Sequence, residues 1–99
     1  MNSSSRLPDY KQIQAIQSWY EPALRTLNNL LDVRKANLRK INRDEANAAV
    51  TRDELIEALH QHHRMSYGDA SLVITSLHRA DKILMFGRFI QVKDQGGEV

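Results

Sequence analysis

The chain contains no cysteine, only two prolines and four glycines among its 99 residues, and few aromatics: one Trp, three Tyr and two Phe. Without cysteine it can form neither a disulfide framework nor a thiolate metal site, which fits a reducing interior. No stretch approaches the roughly 18 apolar residues of a membrane span, and MNSSSRLPDY lacks the apolar segment of a secretory leader. A soluble, cytoplasmic protein that does not associate with membranes is therefore expected. The glycines do not assemble into a phosphate-cradling loop, and neither a nucleophile elbow nor a His-Glu metal motif is present, so no enzymatic activity and no cofactor are expected. The aromatics Tyr10, Trp19, Tyr20 and Phe89 fall at periodic apolar positions and read as packing residues rather than base-stacking platforms; Phe86 is left open. With 41% hydrophobic residues, a chain this short makes one small domain with a limited core.

The net charge of +2 conceals an asymmetry. Residues 1–41 hold seven Lys or Arg against three acids, whereas residues 42–99 hold seven against nine. Any nucleic-acid role must accommodate this, because phosphate neutralisation by Lys and Arg normally supplies most of the non-specific affinity.

Along the chain, residues 1–8 and 94–99 read as disordered tails and 9–93 as a single domain. Pro8 and Asp9 mark a helix start, with Ile13, Ile16 and Tyr20 on one face and Trp19 beside them. That helix stops near Trp19. Pro22 suits a first turn, so a new helix runs from about Glu21 to Ile41, with an apolar stripe of Leu24, Leu27, Leu31, Leu38 and Ile41 and with Leu30 on its edge. Arg34 falls within this stripe, so either its stem snorkels outward, the simpler reading, or the helix bends there. The run RKANLRK reads as a solvated face or as a phosphate-tracking one.

A break is expected near Asn42 to Asn47, then a very short strand at Val50 and Thr51. Thr51 with Glu54, and Ser66 with Asp69, are two capping signals, each marking a helix start. The first helix spans Arg52 to about His63 and buries Leu55, Ile56, Ala58 and Leu59. The second spans about Tyr67 to Asp81 and buries Ala70, Val73, Ile74, Leu77 and Ala80. From Ile83 the period becomes strand-like, and Gly87-Arg88 between Phe86 and Phe89 predicts a hairpin with a type II′ turn. Such a hairpin needs packing, expected through Ile83, Phe89 or Ile90. Glu57, His60, His62 and His63 invite a metal site, but too few of them share a face: His62 projects to the apolar side, His63 to its border and His60 to solvent. No metal site is expected.

This order of elements resembles a winged helix-turn-helix domain over roughly residues 21–93. The resemblance implies a mainly α fold with a small C-terminal β-hairpin, here with an extra N-terminal helix. Many members of that superfamily place the second helix of the pair in the major groove of double-stranded DNA, and others bind proteins on the same scaffold. Carried over, the recognition helix is Ser66 to Asp81, with Gly68, Ser71, Leu72, Thr75, Ser76 and Arg79 facing outward and with Tyr67 and His78 nearer the flank. Arg79 would contact guanine or phosphate, Ser71, Thr75 and Ser76 base edges or phosphates, and Arg88 at the hairpin tip a minor groove or phosphate. Arg39 and Lys40 would be phosphate contacts.

The leading expectation is a small non-enzymatic DNA-binding protein, such as a transcriptional regulator or a mobile-element accessory factor. The alternative is a protein-protein interaction adaptor that uses Leu72, Tyr67 and Trp19. A homodimer through Ile13, Ile16, Trp19 and Tyr20 of the N-terminal helices is compatible with either.

Overall fold

The structure, a computed structural model, describes residues 10–93; both expected tails, the Pro8-Asp9 helix start and the Tyr10 side chain lie outside what it describes. Helix α1 (Tyr10–Ser18) leads into α2 (Tyr20–Lys40) through Trp19. Pro22 explains the position of the joint: it has no amide to donate to the Ser18 carbonyl, and its ring crowds that carbonyl. The Trp19 amide instead bonds the Ile16 carbonyl at 3.0 Å, and the Trp19 carbonyl accepts from Ala23 at 2.9 Å. Helix α2 ends where Asn42 takes φ 59°, with Arg43 donating to Leu38 at 2.8 Å and Asn42 to Arg39 at 3.1 Å, the bond pair of a Schellman cap. The expected break at 42–47 holds a single 3-10 turn, Glu45–Asn47, opened by the Asp44 carboxylate accepting from Ala46 at 2.9 Å.

Strand β1 (Val50–Thr51) feeds α3 (Arg52–His63), whose capping box closes fully: Thr51 Oγ1 accepts from the Glu54 amide at 3.1 Å, and Glu54 Oε1 accepts from the Thr51 amide at 2.8 Å. Arg64 at φ 58° ends α3, and Ser66 opens α4 (Tyr67–Arg79) by accepting from the Asp69 amide at 3.0 Å. Helix α4 stops two residues earlier than the expected Asp81. There Asp81 adopts φ 64°, and the bonds Lys82 to Leu77 (2.9 Å) and Asp81 to His78 (3.0 Å) close a second Schellman cap. Ala80, expected in the core, is therefore exposed at the cap, where the chain already turns away.

Strands β2 (Ile83–Phe86) and β3 (Phe89–Val92) form the hairpin, and β1 pairs with the far side of β3 to give an antiparallel sheet of order β1-β3-β2. Gly87 has φ 59° and Arg88 does not share that sign, as a type II′ turn requires. The register Ile83↔Val92 and Met85↔Ile90 turns these four side chains toward the helices, and Leu84, Phe86, Phe89 and Gln91 face away. Phe89 is thus 45% exposed rather than a packing anchor; Ile83 and Ile90 anchor the hairpin, each essentially fully buried. Gln91 reaches from the outer face to the carbonyls of Ala46 (3.1 Å) and Ala48 (2.8 Å) and holds the 3-10 turn against the sheet.

The core gathers Leu27 and Leu31 of α2, Leu55 and Leu59 of α3, Val73, Ile74 and Leu77 of α4, and Val50, Ile83 and Ile90 of the sheet. Ile56, Leu24, Leu30 and Leu38 pack at its margin, whereas Ile41, placed in the stripe by its spacing, is 62% exposed because α2 ends beside it. The Arg34 side chain is half-buried within the continuous helix α2. Its guanidinium crosses to the start of α3, donating to the Ala49 carbonyl at 3.3 Å and pairing with the Glu54 carboxylate. The Thr51 amide above all, and then Arg34, hold the Glu54 carboxyl below its usual pKa against an opposing push from burial. Among the described residues no helix is long and apolar enough to cross a membrane.

Candidate functional site

Helix α4 buries Ala70, Val73, Ile74 and Leu77, so the opposite stripe is Gly68, Leu72, Thr75 and Arg79. Gly68 and Arg79 are exposed, Leu72 is 46% exposed and Thr75 is half-buried. What lies on either side of the stripe decides what it can contact.

On one flank, α1 lies against α4. Ile16 and Trp19 meet Leu72 and Val73 around a shallow groove that Gln12, Ala15 and Asp69 also line. One turn on, Tyr20 Oη and Ser76 Oγ share a hydrogen bond. Ser76, expected on the outward face, is therefore half-buried and engaged, because α1 and the start of α2 cover that side of α4. Ile16, Trp19 and Tyr20, the expected homodimer stripe, pack against the chain's own core, and only Ile13 of that group, at 37%, is exposed.

The other flank is polar. Arg52 Nη2 donates to Ser71 Oγ at 2.6 Å and approaches the Ser71 carbonyl at 3.5 Å, while the Arg52 amide donates to the Arg88 carbonyl at 2.7 Å. One residue thus ties the hairpin tip to the first turns of α4. Ser71 lies on the expected side of the helix, but its hydroxyl is occupied by this guanidinium rather than free to read a base. Arg52 escaped the sequence reasoning because it stands at the first position of a capped helix, and no local spacing connects it with a serine 19 residues later.

Arg79 in the last turn of α4, Lys82 at the base of the hairpin and Arg88 at its tip are exposed. The Asp81 carboxylate, next to Lys82 in sequence, pairs with Lys93 rather than with Arg79 or Lys82. Arg88 lies over the Phe89 ring with its guanidinium carbon 5.6 Å from the centroid, which orients it at the tip. Arg39 and Lys40 belong to a different place, the last turn of α2 beside the 3-10 turn. There Arg39 pairs with Glu45 at 3.0 Å and Lys40 is exposed.

Tyr67 is 52% exposed, stacks on His60 with centroids 4.1 Å apart and donates to Glu57 Oε1 at 3.3 Å. Partial loss of water first, and then the Glu57 charge, push its phenol above the ordinary pKa. The histidines are arranged differently from their expected directions. His60 does not point to solvent: its Nδ1 bonds the Met65 carbonyl at 2.7 Å beneath Tyr67, and because a carbonyl only accepts, that nitrogen carries the proton. His63 bonds Thr26 Oγ1 at 2.8 Å and meets the Trp19 ring edge-on at 5.8 Å, whereas His62, expected on the apolar side, is exposed. The turn after α3 brings the Met65 carbonyl to the His60 ring, whereas His63 meets Thr26 and Trp19. Among the described residues no three His, Asp or Glu side chains are grouped to hold a metal ion.

A scan of family models, a search of curated proteins and a search of solved structures each find no match to this chain.

Proposed function

We propose that the chain is a winged helix-turn-helix module that binds double-stranded DNA without catalysis, with α4 lying in the major groove and the β2–β3 tip following the backbone. The observation that carries this reading is the Arg52 bridge. It joins the early turns of α4 to the hairpin tip, and Arg79 at the end of α4, Lys82 at the base of the hairpin and Arg88 at its tip are exposed and form no ion pair among the described residues. Thr75 and Arg79 are the groups placed to meet base edges, and Lys82 and Arg88 the phosphate contacts. Ser71 acts by holding Arg52, and Ser76 is not a contact. A role in transcriptional control or in the mobilisation of an element follows from such binding, with the target sequence set by Thr75 and Arg79.

Fluorescence anisotropy with mixed-sequence duplex across a salt series tests the proposal. Affinity should fall steeply with salt, with a log-log slope of about −0.9 for each phosphate neutralised. Arg79→Ala should weaken binding about tenfold while leaving the unfolding midpoint unchanged. Absence of binding at about 50 mM salt, where phosphate contacts are strongest, would overturn it.

One observation favours a second reading: Leu72, 46% exposed, sits in the middle of the stripe beside the α1–α4 groove, whose lining mixes Ile16 and Trp19 with Gln12 and Asp69, a suitable contact for a protein partner. On that reading Leu72→Glu abolishes capture of the partner with the domain still folded, while duplex affinity falls no more than twofold.

A further inference from the structure

The hairpin has two faces that differ in kind. The inner one gives Ile83 and Ile90 to the core, with Met85 and Val92 at its margin. The outer one carries two phenylalanine rings that the fold leaves uncovered, Phe86 at 56% and Phe89 at 45% exposure. They are partners across the ladder, on either side of the Gly87-Arg88 turn. Lys93 donates to Lys82 at 3.2 Å, so the alternation of an antiparallel ladder makes Phe86↔Phe89 a bonded pair, with Cα atoms about 5.5 Å apart. Cations frame the two rings. The Arg88 guanidinium carbon lies 5.6 Å from the Phe89 centroid. At the base of the hairpin the same alternation puts Lys82 and Lys93 on the outer face, about 13 Å from the rings at about 3.3 Å per residue. Lys93 pairs with Asp81, while Arg88 and Lys82 are exposed and form no ion pair among the described residues. The polar side chains of this face are held elsewhere. The Gln91 side-chain nitrogen donates to the Ala46 and Ala48 carbonyls, and the Thr51 hydroxyl, opposite Phe89, caps α3.

We propose that the outer face of the β2–β3 hairpin binds single-stranded DNA without reading its sequence, with unpaired bases stacked on Phe86 and Phe89 and the backbone drawn along Lys82 and Arg88. The inference rests on this face and not on the major-groove role of α4. Two adjacent rings in a setting of positive charge are complementary to a polyanion whose bases are free to stack. In a duplex the bases already stack on one another and cannot cover the rings, so the ligand is a single strand. Stacking tolerates every base, and with Gln91 and Thr51 engaged the face offers π surface and charge rather than hydrogen-bond readout, hence the lack of sequence preference. The same feature selects DNA. A 2′-hydroxyl is recognised by hydrogen bonding, and a ribose strand would gain no such contact here while its hydroxyls lost water.

Fluorescence anisotropy with labelled oligo(dT) of about 12 nucleotides, at about 50 mM salt, tests the proposal on the full chain. The affinity should fall with salt at a log-log slope of about −0.7 for each phosphate neutralised. Phe86→Ala and Phe89→Ala should each weaken oligo(dT) binding about tenfold and leave duplex affinity and the circular dichroism spectrum unchanged, since both rings are exposed. Arg79→Ala, on α4, should leave oligo(dT) affinity unchanged. Phe89→Trp keeps a stacking ring, so it should retain the affinity, and its added emission should be quenched by oligo(dT); this readout stands even if an alanine variant perturbs the hairpin. Binding of oligo(dT) with these dependences and no binding of duplex would support this inference while overturning the major-groove one. No binding of oligo(dT) at about 50 mM salt, undiminished binding by both folded alanine variants, unquenched emission in the bound Phe89→Trp variant, or tighter binding of oligo(rU) than of oligo(dT) would each overturn it.

Discussion

Ser71 and Ser76 lie five residues apart on α4, have the same side chain and look equally suited to an outward face, yet the fold gives them opposite neighbours. Ser76 meets Tyr20 on a flank closed by α1, where Ile16 and Trp19 supply apolar cover. Ser71 meets Arg52 on a flank that stays polar and continues into the hairpin tip. The difference shows that the surface α4 presents is narrower than its helical wheel. One side is taken by packing against α1 and the start of α2, and the other stays polar, with Arg52 bound to Ser71.

The largest expected effect removes the common support of both flanks. Ile74 is fully buried where α4 meets the core, so Ile74→Ala should destabilise the fold by about 2–5 kcal/mol in urea titrations. Loss confined to one flank, seen as retained edge contacts in the variant's NMR spectrum, would mean that the two sides fold independently.

Next comes the start of α3, from which Arg52 projects. Thr51→Ala should cost about 1 kcal/mol through loss of the cap. Glu54 adds a pH signature. Its carboxyl pKa is depressed in the folded state, so its contribution is present above the unfolded value of about 4.5 and lost as pH falls through the folded value. The stability gap between the native chain and Glu54→Gln should therefore be full at neutral pH and close in strongly acidic solution. A gap independent of pH would show that the capping and Arg34 bonds do not depend on the charge.

The smallest stability effects compare the flanks directly. Tyr20→Phe and Ser71→Ala each remove one partner from a half-buried hydrogen bond and should cost about 0.5–1.5 kcal/mol. Their consequences for duplex binding should diverge: Tyr20→Phe leaves the affinity unchanged, whereas Ser71→Ala frees Arg52 and weakens binding severalfold. Equal losses in an anisotropy titration would erase the distinction between a closed and an open side.

The joint at Trp19, the short strand at Val50, the full span of α3, the start of α4 and both hairpin strands were legible because each depends on neighbours within about four residues: a proline, a capping hydroxyl, a glycine able to take positive φ. Legibility failed where a side chain acts over distance. Arg34 interrupts an apolar stripe, and nothing local indicates that it reaches Glu54 20 residues on. His60 looked solvent-directed until the turn after α3 brought the Met65 carbonyl to its ring. Of the candidate contacts, Thr75 and Arg79 lie on the open stripe of α4, Arg88 is at the hairpin tip, Ser71 is held by Arg52, Ser76 is withdrawn, and Arg39 and Lys40 sit at the end of α2.

Sequence alone determined where helices begin, where the period changes and which turn joins β2 to β3, since φ preferences and first-turn hydrogen bonds are properties of a few adjacent residues. Only the tertiary structure decided which face of α4 stays open, which acid answers which cation and that β1 joins the far side of β3. Those outcomes depend on groups 19 to 56 positions apart being brought together by the burial of Leu27, Leu59, Ile74 and Ile90 in one core.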